Sequence, residues 1–429
     1  MGLLKIKAPP EFGIRRVPKD LKIMGNIDYF VLWSSLGVGL LVLQAGGILT
    51  MPPEEYGFGL GFMELLLVSI IGSVIGSMLL ALAGLVGERE GIPTMVSLRP
   101  SFGKYGSYLP TILNIIQLIG WATFEIIIMG EAAEAISGIE GSRPLWIIFF
   151  GLLAYLMAIG GPLRVVRQWL EKFAIWLVYI STIWITYNVF TSGVTLPLFR
   201  SGSLSSYLLA LDLVIAMPVS WIPLVSDYNR FAKSSGSSGL GTFLGYTISN
   251  TWFYVLGGVL IIVYAGQSIV SSIAILFYGT IALLLILVDE TDNAFADVYS
   301  AAVSLQNIGP KVRVASYASL IALISIVLGL IIPIAEYEHF LLLIGASFIP
   351  VTSILITDYF IVKRRKYNDS ELYPENGGVR FEAIASWIIG FITYYLLAYI
   401  YPVVGATIPT LLSTATIYLI LSRMGGVWR

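Results

Sequence analysis

The sequence predicts an all-α polytopic membrane protein with twelve transmembrane helices, and three observations predict it. Hydrophobic residues make up 57 % of the 429-residue chain and charged residues 12 %, about half the charge that a water-facing surface carries. Apolar runs of the length that crosses the hydrocarbon, about 20 residues, recur from one end to the other. Of the 25 Lys and Arg, all except Arg143 and Arg200 fall in alternate inter-span segments, the asymmetry that orients membrane proteins. The same composition excludes a soluble enzyme and a disordered chain. A net charge of −1 gives no basis for a nucleic-acid partner. There is no cysteine and a single histidine, His339, so disulfides, iron–sulfur clusters and His- or thiolate-based metal centres are excluded. No cofactor is expected.

Backbone polar groups in lipid find no water, so the spans are helices. They are expected at residues 27–50, 59–86, 107–136, 144–161, 168–191, 207–228, 239–265, 272–304, 313–332, 340–362, 381–401 and 403–422. The first contains Gly37, Gly39 and Gly46-Gly47, and the sixth contains Pro218 and Pro223. Proline removes a backbone donor and clashes one turn back. Both spans therefore read as interrupted, the pointer to a transporter site built between two repeats. The segments divide the chain into a cytoplasmic stretch 1–26, a first five-helix unit 27–191, a second 207–362, and two additional helices at 381–422. Residues 1–26 are basic and contain proline, without the features of a removable signal. Both termini are expected in the cytoplasm, with the chain crossing the cell membrane many times. The loop from Lys363 to Arg380 is polar and turn-rich, a connector rather than a domain.

Acidic residues inside spans carry the functional signal. Glu64, Glu131 and Asp212 read as protonated or span-end acids. Glu125 is different, because Trp121 lies one turn before it and Gln117 two turns before it on one helix face. An aromatic plane, a carboxylate and an amide in one stripe suit a flat, hydrogen-bonding heterocycle; the alternative is a helix-packing stripe with a protonated Glu. The eighth span holds Asp289, Glu290, Thr291, Asp292, Asn293 and Asp297, the densest polar run in any span. Oxygen ligands there suit Na⁺, or a carboxyl suits H⁺. A Mg²⁺-dependent prenyltransferase would use aspartate-rich runs too, but its spacing differs and a second such helix is lacking.

At these residues the chain resembles the nucleobase:cation symporter-1 family, permeases for cytosine, purines, hydantoin, allantoin and thiamine precursors. The carrying stretches are Gly120-Trp121, Pro223 through Phe231, Ser300-Ala301-Ala302 with Gln306-Asn307, and Ile349-Pro350 through Thr357-Asp358-Tyr359-Phe360. Asp212-Leu213, Met217 through Pro223 and Thr291 through Phe295 look most like the branch assigned to hydroxymethylpyrimidine. The resemblance implies a LeuT-type fold of two five-helix inverted repeats, with broken first and sixth helices and alternating access. It implies import of a small planar heterocycle with Na⁺ or H⁺, the alternatives being thiamine, purine or allantoin.

Residue by residue, Trp121 matches the tryptophan that stacks on the heterocycle. Glu125 stands where hydantoin permeases carry a glutamine, a departure that favours donor-rich ligands such as aminopyrimidines over acidic imides. Asn293 matches an asparagine that reads the base in cytosine permeases, and Asp297 falls where hydantoin carriers place theirs. Gln117, Ser220 and Trp221 complete the substrate-binding candidates. Family members place the sixth-helix aromatic where this chain has Met217 and Pro218, and Trp221 is the nearest substitute. The implied Na⁺ site takes carbonyls of Val38 and Leu41 with the side chains of Thr291 and Asp292. Asp227, Tyr228 and Arg230 read as structural or gating residues.

Overall fold

A computed structural model describes residues 13–55, 57–160, 175–200, 202–233, 236–334, 337–401 and 404–425; the side chains of Asp289 and His339 lie outside the described ones, as do Arg164, Arg167 and Lys172. The helices that place the site are α1 (Asn26–Ser35), α2 (Leu40–Thr50), α3 (Phe62–Glu90), α4 (Tyr108–Ser137), α5 (Arg143–Gly160), α6 (Ile175–Phe190), α7 (Leu204–Ser220), α8 (Val225–Asn229), α9 (Gly239–Val263), α10 (Ile269–Ala274), α11 (Gly279–Leu305), α12 (Val314–Gly329), α13 (Tyr337–Thr357), α14 (Phe381–Tyr395) and α15 (Thr407–Met424). Among the described residues, seven helical spans are individually long and apolar enough to cross a bilayer, or eight if α1 and α2 are one bent span. The other expected spans are helical over most of their described residues. α6 and α12 are shorter, α11 carries the acids, and α15 is rich in Thr and Ser.

Both expected interruptions are present. α1 and α2 meet at an angle of 60°, across Leu36 to Gly39. Gly39 sits at φ 149°, a region that essentially only glycine enters. In the sixth span, α7 ends at Ser220, a 3₁₀ turn spans Ile222–Leu224, and α8 follows. Pro218 and Pro223 supply no N–H at these positions, and the chain tightens into Trp221 N–H to Pro218 O and Leu224 N–H to Trp221 O contacts, 3.3 and 3.1 Å.

The interior is built by close backbone approach. α9 lies along both halves of the first span, and its glycines make that possible. A Cβ at Gly241 would lie 2.5 Å from Asn26 O, and one at Gly245 would lie 2.6 Å from Phe30 O. Small residues at such crossings let helices gain contacts that lipid cannot offer. α11 packs along α4, and that pairing brings the two polar stripes together. The outer surface reads as lipid-facing: Leu67, Ile70, Ile71, Val74 and Met78 on α3 recur at helical spacing and are all exposed.

Two boundaries differ from the expectation, and a third span keeps its expected end but closes in a different turn. The eighth span does not run unbroken from 272. A short α10 precedes it, and Tyr278 in the left-handed region at φ 54° separates that helix from α11. The tenth span ends in a π-helical turn at Asp358–Val362. The last helix begins at Thr407, where Asp212 receives the N–H groups of Ala406 and Thr407 at 2.5 and 2.9 Å. Asp212 thus caps α15 from α7. Glu64 likewise ends α3, accepting Gly61 N–H at 2.7 Å and Tyr207 OH at 2.6 Å.

Candidate functional site

The α4 stripe forms as its spacing requires. Gln117, Trp121 and Glu125 lie on one face and are all buried. Gln117 donates its Nε2 to Asn114 Oδ1 at 2.8 Å and to Ser220 O at 3.0 Å, tying α4 to the break in the sixth span. Ser220 itself donates to Met217 O at 2.7 Å. Trp121 meets the ring of Phe340 on α13 edge-on, with centroids 5.4 Å apart. Phe340 also approaches Phe124 at 5.3 Å. It escaped the sequence reading because nothing in the pattern of α13 singles out one apolar residue among many. Its local mark is Gly120, where any side chain would run into the Phe340 ring.

On α11, Glu290, Asn293 and Asp297 stand three and four residues apart, so they share a face. Asn293 donates Nδ2 to Val38 O at 3.0 Å. Glu290 accepts the N–H of Leu40 with both carboxyl oxygens, at 3.1 and 3.2 Å. Its carboxyl also lies within interaction range of Glu125. Two helices far apart in sequence therefore meet at the gap in the first span. A Cβ on Gly39 would lie 2.8 Å from Glu290 Oε1 and 3.1 Å from Asn293 Nδ2, so only glycine leaves the space these groups occupy. Asp297 lies further along the same face, within electrostatic reach of Tyr228.

Several acceptors of this cluster are unpaired. Gln117 Oε1, Glu125 Oε2 and Asn293 Oδ1 are buried without a hydrogen-bond partner. The two amides are oriented by their own donors, since each NH₂ points at a carbonyl-type oxygen. Buried acceptors left open cost about 1–3 kcal/mol each, a cost that donors brought by a ligand would relieve.

The remaining candidates are placed as follows. Trp221 is buried and packs edge-on against Trp33, centroids 6.2 Å apart. Trp33 in turn donates Nε1 to Asn229 Oδ1 at 3.1 Å. Val38 lies in the gap of the first span, and Leu41 is the second residue of α2. Thr291 donates Oγ1 to Val288 O at 2.8 Å within its own helix. Asp292 is fully buried near Ser35, and neither of its carboxyl oxygens has a hydrogen-bond partner. Two carbonyls, a hydroxyl and a carboxylate are the oxygen types a hard cation takes. Among the described residues no group of three His, Cys, Asp or Glu forms a metal cluster.

Asp227 and Arg230 belong to a network away from this cluster. Asp227 Oδ1 accepts Thr94 N–H at 3.1 Å. Arg230 reaches Gly13 O at 2.7 Å and Tyr299 OH at 3.2 Å. Arg16 donates to Glu90 O and to Asp369 Oδ1, both at 2.8 Å. The segment that begins at Gly13 is thereby pinned across one end of the bundle.

With that geometry in hand, comparison with known proteins is informative. The family described as "Permease for cytosine/purines, uracil, thiamine, allantoin" matches residues 16–416. The allantoin permease of Bacillus subtilis is 23 % identical over 392 residues, covering 77 % of each chain. The hydantoin permease of Microbacterium maritypicum is 21 % identical over 412 residues, covering 87 % of this chain and 81 % of that one. Among solved structures, Mhp1, a nucleobase-cation-symport-1 family transporter in a closed conformation with bromovinylhydantoin bound, superposes with a TM-score of 0.80 at 17 % identity. That match covers 99 % of this chain and 98 % of Mhp1. The fold is therefore of the LeuT type.

Proposed function

The chain belongs to the family of permeases for cytosine/purines, uracil, thiamine and allantoin, and from that premise we propose that it imports a small, planar, donor-rich nitrogen heterocycle by alternating access. Its relatives are permeases, not enzymes. Hydroxymethylpyrimidine and cytosine are the ligands of choice, with thiamine, purines and allantoin as the alternatives within the same fold. The observation that carries the reading is the meeting of the α4 stripe with the α11 stripe at the first-span gap. Trp121 offers the stacking plane, and Gln117, Glu125, Asn293 and Asp297 read the edge. Ser220 and Trp221 border the ligand from the sixth span.

Coupling is assigned to Na⁺ held by the carbonyls of Val38 and Leu41 with Thr291 and Asp292, and H⁺ carried by a carboxyl is the alternative. A cation joining the first span to α11 and a ligand joining α11 to α4 bias the same rearrangement, so each raises the other's affinity. The units 27–191 and 207–362 act as inverted halves that rock about this midplane site, while 381–422 adds two helices. The protein works in the cell membrane with both termini in the cytoplasm.

Thermal stabilisation of the purified protein by a panel of heterocycles, each with and without Na⁺, tests this. A ligand bound only by the folded state raises the midpoint in step with RT ln(1 + [L]/Kd). Stabilisation by hydroxymethylpyrimidine or cytosine that grows with Na⁺ is the expected result. An effect of acid pH in place of Na⁺ assigns the coupling to H⁺. Stabilisation by none of the panel overturns the heterocycle reading.

A further inference from the structure

We propose that Glu290 is a second specificity-determining carboxyl of the site. With Glu125 it forms a clamp that selects a cationic, amidinium-type N–C–N edge over the imide edge of uracil or hydantoin. The proposal rests on the reading of this cluster as the heterocycle pocket, and it adds both a residue and a ligand charge to that reading.

The first support is position. Glu290 is fully buried, within interaction range of Glu125, and its two oxygens are held by the N–H of Leu40. That anchor is a helix N-terminus, α2, which favours negative charge. The carboxyl is thereby fixed beside Asn293 rather than free to swing away. The space for it exists because residue 39 is glycine, as a Cβ there would press on both Glu290 and Asn293.

The second support is charge. The four helical spans that carry the cluster, residues 26–50, 108–137, 204–229 and 279–305, contain no Lys or Arg. The groups within electrostatic reach of the pair are Asp292 and Asp297 from α11 and the Tyr246 hydroxyl from α9. All are acidic groups, and none is a cation. Two buried carboxyls in contact cannot both stay ionised unless a proton or another positive charge is shared between them. A cationic edge supplies what the helices lack.

The third support is the hydrogen-bonding pattern. The open atoms Gln117 Oε1, Glu125 Oε2 and Asn293 Oδ1 are buried, unpartnered acceptors. An amidinium edge presents only donors and meets them. An imide edge presents two carbonyl oxygens flanking one N–H, so it would set acceptor against acceptor. A buried site built to pair with donors rejects a ligand that lacks them far more strongly than an apolar site rejects a missing methylene.

The test uses an isosteric pair of flat probes, benzamidine and benzamide. Both have one aromatic ring, but benzamidine carries a charged N–C–N edge throughout the neutral range, whereas benzamide is neutral and has one acceptor. Uracil and 4-aminopyrimidine complete the set. Affinities are measured on the purified full-length protein by competition and by thermal stabilisation. The wild type is expected to prefer benzamidine to benzamide by about tenfold or more, and to bind uracil weakly. Glu290→Gln keeps an oxygen for Leu40 and is expected to bring the ratio near unity. Should Glu290→Gln fail to fold, Glu125→Gln is expected to lower the same ratio.

Equal binding of the two probes by the wild type, or a ratio untouched in both variants, overturns the clamp. If neutral heterocycles bind but no cation preference exists, the clamp alone fails. If no planar heterocycle binds at all, the pocket reading fails with it.

Discussion

Glu290 accepts the backbone N–H of Leu40 at 3.1 and 3.2 Å, across 250 residues of chain. Gly39, which precedes α2, has no side chain to cap the helix, and its extended positive φ turns the backbone away from α1. A carboxyl from a different helix completes the exposed end instead. The gap in the first span, which the proposed site needs, is thus held open by a residue of the eighth.

The gap is expected to be intolerant of any side chain. Gly39→Ala forces a Cβ toward Glu290 and Asn293 and places Ala in a region it rarely enters. A loss of about 2 kcal/mol or more and a loss of uptake are expected. Thermal melting and transport assays on the variant check both, and wild-type behaviour of Gly39→Ala would show that the gap is not constrained as described.

Trp121 is expected to supply stacking. Removing the ring with Trp121→Ala should weaken heterocycle binding by about tenfold, corresponding to roughly 1–1.5 kcal/mol for one aromatic stack. Trp121→Phe should recover most of it. Direct binding titrations decide the matter, and an unchanged affinity for the Ala variant moves the site elsewhere.

Asp212 gives the opposite expectation. It caps α15 through the N–H groups of Ala406 and Thr407 and touches none of the proposed ligand contacts. Asp212→Ala leaves two buried donors open and is expected to cost about 1–3 kcal/mol. Ligand affinity at a temperature where the variant is folded should be unchanged. A selective loss of affinity would give Asp212 a functional role.

Glu371 carries a pH prediction outside the membrane. Burial pushes its carboxyl upward, but the Lys363 ammonium at 2.7 Å and the N–H of Asn368 at 3.1 Å outweigh burial and hold it below the usual range. A carboxyl lowered in the folded state contributes stability above its unfolded value, about 4.3, and that contribution is lost as the pH falls through the folded value. Glu371→Gln should therefore be less stable than wild type at neutral pH, by about 0.5 kcal/mol after solvent screening. The difference should shrink as the pH falls below the unfolded value, about 4.3, and vanish below the folded one, which paired melts across pH will show.

The α4 stripe was legible because helical periodicity alone puts Gln117, Trp121 and Glu125 on one face. The acids of the eighth span were legible as a cluster, and the spacing of Glu290, Asn293 and Asp297 marks a shared face. The pairing of Glu290 with Glu125 was not legible. It depends on which helices lie side by side, and α4 and α11 are separated by about a third of the chain. Phe340 was hidden for the same reason, since one apolar side chain in an apolar helix carries no signal until its neighbour is known. The start of the eighth span was misjudged because Tyr278 adopts the left-handed region, which its sequence does not announce.

Composition, the length of the apolar runs and the distribution of Lys and Arg determined by themselves that the chain lies in a membrane, since these are properties of residues against solvent and lipid. The Gly and Pro positions determined where the first and sixth spans break, because backbone conformation there is a local matter. Which side chain fills each break, and which polar atoms remain open to a ligand, were decided only by tertiary packing. Hydrogen bonds between residues hundreds of positions apart form when helices approach closely, and that approach is set by the glycines of α9 and the meeting of α4 with α11.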